Sequence, residues 1–136
     1  MGALSPMFID TSAIIAILRQ EPEEAHFLSR IEQASYIVTS PIVVLETVMR
    51  LSTLIPCSVE KAKRITQDFL AEIGATLVPI GEETGNHAID AFARYGKGKG
   101  HPAQLNLGDC FSYAVAKEQG VGLLYKGDDF LRTDLA

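Results

Sequence analysis

The chain has 136 residues, 47% hydrophobic and 21% charged, which describes one globular domain able to bury its own core and excludes a disordered or low-complexity chain. The 12 Lys and Arg against 17 Asp and Glu leave a net charge of −5, and that balance speaks against a broad basic nucleic-acid surface unless carboxylates cluster and hold cations. Apolar runs such as Ile42–Leu45 are too short to span a bilayer, and residues 1–6 lack the basic start and apolar stretch of a secretory signal.

Met7 reads as the natural beginning of a strand, so residues 1–6 are expected to be a non-native or disordered extension. Residues 7–10 (MFID) predict a short buried strand, and 11–19 a helix with apolar residues on most faces. Residues 21–34 are amphipathic, with Pro22 suited to a first helical turn. A β-branched strand follows over 35–40. Pro41 opens a long, mostly buried helix that stops at Pro56. Ser58 predicts an N-cap, with Lys61 where a capping box carries Glu, for an amphipathic helix closed by Gly74. Then come a strand over 75–80, a helix over 82–95, a glycine-rich loop over 96–106 and an apolar helix closed by Gly120. A last strand over 121–125 leads into a turn and a short terminal helix over 126–135. Strands alternating with helices favour a parallel sheet covered on both faces, with its site beyond the carboxyl ends of the strands. Neither Cys57 nor Cys110 has paired metal spacing, so reduced thiols in a cytoplasmic protein are expected.

Four carboxylates occupy telling places. Asp10 ends the first strand, Glu46 lies inside the apolar helix VVLETVMRL, Asp109 opens the apolar helix CFSYAVA, and Asp128 follows the last strand. Each has a plain structural role open to it: helix capping for Asp10 and Asp109, turn formation for Asp128, and an ion pair with Arg50 for Glu46. The ion pair leaves the apolar surroundings of Glu46 unexplained. A parallel sheet brings Asp10, Asp109 and Asp128 to one edge, with the helix of Glu46 crossing above. Clustered carboxylates repel and their pKa values rise unless a cation compensates. Oxygen ligands without His or Cys suit Mg²⁺ or Mn²⁺ rather than Zn²⁺, and that pairing suits phosphodiester hydrolysis.

With FIDTSAIIAIL, SPIVVLETVMRL, YGKGKGHPAQLNLGDCFSYAVAK and LLYKGDDFLRTDL in view, the chain resembles the PIN-domain ribonucleases from Met7 onward, and more narrowly the VapC-type toxins of bacterial toxin–antitoxin pairs. The resemblance implies a three-layer α/β/α sandwich on a five-stranded, mainly parallel sheet. It also implies an acidic site of Asp10, Glu46, Asp109 and Asp128 holding one or two Mg²⁺ or Mn²⁺ ions. Asp10 and Asp109 would be the principal ligands, Glu46 would bind directly or through water, and Asp128 would hold a second ion or a water. Asp128 is ranked ahead of Asp129, because the first acid after a strand is better placed to turn inward; Asp129 would support the site or cap the terminal helix. Ser12 would hydrogen-bond a ligand or cap the helix start. The implied reaction is in-line attack of an activated water on RNA phosphorus, with a carboxylate assisting and no His or Cys nucleophile. Structured tRNA or rRNA as substrate, a homodimer and a VapB-type antitoxin across the acidic groove come with the same resemblance.

Arg94, Lys97, Lys99 and His101, in the loop leading into Asp109, are expected to grip RNA, and Lys126 to reach substrate. Solvated surface charge is the plain alternative for each. Three other functions compete: an RNA-processing nuclease without an antitoxin, a catalytically silent RNA-binding PIN module, and a haloacid-dehalogenase-like phosphatase. The phosphatase requires an acid where Ser12 stands.

Overall fold

The computed structural model describes residues 5–136; residues 1–4 of the expected extension lie outside the described residues. Ser5 and Pro6 are already bound to the fold, their carbonyls accepting from the N–H groups of Ser35 (3.1 Å) and Gly122 (3.3 Å). The elements are β1 (Met7–Ile9), α1 (Thr11–Leu18), α2 (Glu24–Gln33), β2 (Ile37–Thr39), α3 (Pro41–Leu54), α4 (Val59–Glu72), β3 (Thr76–Leu77), α5 (Glu82–Tyr95), α6 (Leu107–Gln119) and β4 (Gly122–Leu124). The order follows the sequence pattern because each apolar run ends at a recognisable stop. Ser40 and Ser58 accept from Val43 and Lys61 N–H groups to start α3 and α4, and Gly120 takes a left-handed φ of 66° to end α6.

The four strands form one parallel sheet in the order β3-β2-β1-β4. The five-stranded expectation is therefore corrected to four among the described residues. After β4 the Lys126 N–H bonds the Ser12 hydroxyl at 2.9 Å instead of a neighbouring strand, and Gly127 turns the chain away with φ 95°. No terminal helix forms either. Separate turns run from Asp128 to Leu131 and from Phe130 to Thr133, and the Thr133 hydroxyl binds the Phe130 carbonyl at 2.7 Å, competing with a helical ladder.

From β1 the chain winds outward through β2 to β3, then returns across the sheet to β4. Parallel neighbours need crossover connections, and the helices between the strands supply them. Phe8, Ile9, Ile14, Val115 and Leu124 lie in the main core around the sheet, and Ile15, Val48, Leu51 and Ala62 join α1, α3 and α4 in a smaller second core. Helix α3 is less buried than its composition suggests, because it packs along one stripe: Val43, Thr47, Val48 and Leu51 are inside, while Leu45 and Met49 are 59% exposed. No helix among the described residues is long and apolar enough to cross a membrane.

Candidate functional site

The reversal of strand order falls between β1 and β4, and the crevice beyond their carboxyl ends is where an open α/β sheet places its site. A cavity of about 290 Å³ lies there, walled by Asp10, Thr11, Ser12, Glu46, Arg50, Asn106, Asp109 and Asp129.

Asp10 leaves β1 and becomes the N-cap of α1, its Oδ2 accepting from the Ser12 N–H at 3.0 Å and the Ser12 hydroxyl at 2.7 Å. Its Oδ1 accepts from the buried Ser112 hydroxyl of α6 at 2.7 Å. The capping role and the site role thus coexist in one side chain. Ser12 also accepts the Lys126 N–H, so one hydroxyl ties the end of β1 to the end of β4.

Asp109 stands in the first turn of α6 within a capping box: its Oδ2 accepts from the Asn106 N–H at 3.2 Å, and the Asn106 Oδ1 accepts from the Asp109 N–H at 3.0 Å. Burial pushes the Asp109 carboxyl up to about 8, opposed by its bond from the Asn106 backbone and reinforced by the charges of Asp129 and Asp10. Glu46 is half-buried on α3 and accepts from the Thr11 hydroxyl at 3.4 Å. Its carboxyl is raised by burial and then by Asp10, with Thr11 and Arg50 pulling the other way. No ion pair joins Glu46 to Arg50 within 4.0 Å among the described residues. Gly108 lets α3 and α6 meet here, because a Cβ at that position would overlap the Glu46 carboxylate.

The fourth carboxylate on this cavity is Asp129; Asp128 lines only the adjoining cavity, which has a volume of about 370 Å³. The placement of the two acids has a physical reason. Lys126 is pinned to Ser12, Gly127 reverses the chain, and Phe130, 1% exposed, is buried against the Tyr125 ring. Between those anchors the second acid, not the first, faces Asp109.

The expected RNA-binding cations lie elsewhere. Lys126 Nζ is held by Glu21 at 2.5 Å and Glu23 at 3.3 Å. Arg94 bonds the Tyr95 hydroxyl at 2.7 Å, and Lys99 sits 4.8 Å over the Phe92 ring. His101 accepts from the Ala103 N–H at 3.0 Å. Lys97 lines a separate apolar groove of about 650 Å³ between α5 and α6. The loop itself is closed at its base, where Gly96 pairs with Leu105.

The site's supporting residues were less legible in sequence. Asn106, Ser112 and Gly108 had signals: an Asn-x-x-Asp capping pattern, a hydroxyl three residues after Asp109 on one helix face, and a glycine inside an apolar helix. Arg50 is legible only as an ion-pair partner of Glu46.

As placed, no three His, Cys, Asp or Glu side chains among the described residues close into a metal cage. The donor set nevertheless fits a hard cation. Four carboxylates and no His or Cys line the cavity, and two of them, Glu46 and Asp109, are raised by burial and like charge. Mg²⁺ retains several waters and needs only one or two carboxylates, which suits an open group of this kind.

The chain belongs to the PIN domain family, whose model matches residues 7–135. Among curated proteins it is 42% identical to a VapC ribonuclease of Rhizobium meliloti (strain 1021), with 94% of this chain and 98% of that protein covered. It is 38% identical to ribonuclease VapC30 of Mycobacterium tuberculosis (strain H37Rv), with 96% of each covered. Among solved structures it shares its fold with Mycobacterium tuberculosis VapC20, described as a sarcin–ricin loop cleaving toxin, at TM-score 0.74, 16% identity and 96% coverage of both chains. Rickettsia felis VapBC2, solved on a DNA fragment from its promoter, matches at TM-score 0.68 and 15% identity, covering 95% of this chain and 93% of that one.

Proposed function

We propose that this protein is a Mg²⁺- or Mn²⁺-dependent endoribonuclease, the toxin of a VapBC-type pair, acting on structured tRNA or rRNA in the cytoplasm. The carrying observation is the convergence of Asp10, Glu46, Asp109 and Asp129 on one cavity at the switch point of the sheet. Near-full-length similarity to VapC ribonucleases supports the substrate class and a VapB-type antitoxin partner.

Asp10 and Asp109 would hold the cation, with Glu46 and Asp129 directly or through water. A cation held there would supply positive charge against the charge that develops at phosphorus and would lower the pKa of a water. Ser12 and Ser112 orient Asp10 by donating to separate oxygens, and Asn106 orients Asp109. Glu46, which accepts from the Thr11 hydroxyl, is placed to take a proton from the attacking water.

The test is cleavage of total RNA by purified, antitoxin-free protein in Mn²⁺ or in EDTA. Discrete cuts are expected in Mn²⁺ only; cutting that survives EDTA removes the metal from the account. In the same assay Asp129→Asn is expected to slow cleavage by about 10–100-fold, the usual cost of disturbing a metal's ligand surroundings. Asp128→Asn should stay within about threefold, as expected for a residue off the cavity. The reverse ranking would return the fourth position to Asp128.

The family kinship also supports a homodimer. Exposed apolar side chains are available for it on α3 (Leu45, Met49) and along α5 and α6 (Ile89, Phe92, Leu107). Sedimentation at two concentrations reads the outcome, and a monomer at both would refute the dimer.

A further inference from the structure

We propose that the two cavities sharing Asp129 form one continuous track for single-stranded RNA, in which Arg50 and Arg132 bind the phosphates on either side of the one that is cut. The inference deepens the nuclease reading and rests on it. Asp129 walls both the acidic cavity, where Arg50 stands, and the adjoining one, where Arg132 stands. Asp129 is the one residue common to the two walls, with Arg50 on the first and Arg132 on the second.

Both arginines are exposed, and neither has a carboxylate partner within 4.0 Å among the described residues. That sets them apart from Lys126, Arg94 and Lys99, each already engaged within the protein. An acidic site repels a polyanion, so substrate approach needs cations beside the carboxylates. An arginine fork meets two phosphate oxygens at once, which a lysine point charge does not. The wall of the Arg132 cavity also carries Gln104, held at φ 57° with its side chain tied to the His101 carbonyl at 2.7 Å. A non-glycine residue in this region is held there by its surroundings, as in segments that shape a binding surface.

The experiment measures binding of a short single-stranded RNA to the full chain carrying Asp109→Asn, so that cleavage does not interfere. Arg50→Gln and Arg132→Gln are compared with a Lys97→Gln/Lys99→Gln pair across a salt series. Each arginine change is expected to weaken binding about fivefold to tenfold and to flatten the log–log salt slope by about 0.7, one single-strand phosphate contact. The lysine pair should change affinity by less than about twofold, having no phosphate contact to lose. Unchanged binding in the arginine variants, a loss carried by the lysine pair, or no RNA binding by the parent would each overturn the track. Wild-type cleavage in Mn²⁺ is scored separately. Arginine-dependent binding without cleavage supports the track while refuting the nuclease; cleavage with arginine-independent binding does the reverse.

Discussion

Asp109→Asn is expected to lower RNA cleavage by about 10³-fold, the rate equivalent of several kcal/mol of transition-state stabilisation from a bound cation. The fold should survive, because Asn retains an oxygen to accept from the Asn106 N–H. The same variant reports on stability. The Asp109 carboxyl stands at about 8 in the folded chain, raised chiefly by burial and further by Asp129 and Asp10. An ordinary Asp in the unfolded chain titrates near ~4. The folded protein therefore binds the proton more tightly, and the associated stability is full below ~4 and disappears as pH rises to about 8. Metal-free wild type should melt at falling temperature between about pH 5 and about pH 8, and Asp109→Asn should flatten that profile. Mn²⁺ should raise the wild-type Tm, increasingly so toward alkaline pH, because cation and proton compete for one carboxylate. Parallel pH profiles for the two proteins would refute this account of Asp109.

Gly108→Ala is expected to cost about 10–100-fold in cleavage with little change in Tm, through loss of Glu46 from the cavity. A Cβ at 108 would overlap the Glu46 carboxylate, which is the far end of a flexible side chain and can swing away without moving the backbone. Its departure also releases a buried like charge, and alanine favours a helix over glycine by about 1 kcal/mol, so the stability terms offset any residual crowding. Gly85→Ala on α5 is the control, since a Cβ there meets nothing within 4 Å. Combined with Glu46→Gln, the Gly108 change should add almost nothing, because both remove one carboxylate. Additive losses would mean that Gly108 acts through the backbone of α6 instead.

Asp10, Glu46 and Asp109 could be read from the sequence because each sits at a place that local rules mark: a strand end, an apolar helix interior and an apolar helix start. The plain capping roles weighed for Asp10 and Asp109 hold, and the same side chains that cap α1 and α6 line the cavity. The basic loop was harder. Its position before Asp109 suggested cations beside the acids, yet Leu105 is 1% exposed and pairs with Gly96, and Lys99 lies over Phe92 of α5.

The sequence by itself determined the helices up to Gly120, the four strands and three of the acids that line the cavity, because periodicity, caps and glycine stops act within a few residues of one another; the predicted terminal helix gave way to turns. Only the tertiary structure decided which acid after β4 lines the cavity and that Lys126 is paired away from it. Those outcomes depend on anchors distant in the chain: Ser12 holding Lys126 across 114 residues and the Glu21 carboxylate capturing its ammonium. No local propensity encodes such contacts, since they form only when two strand ends are brought side by side.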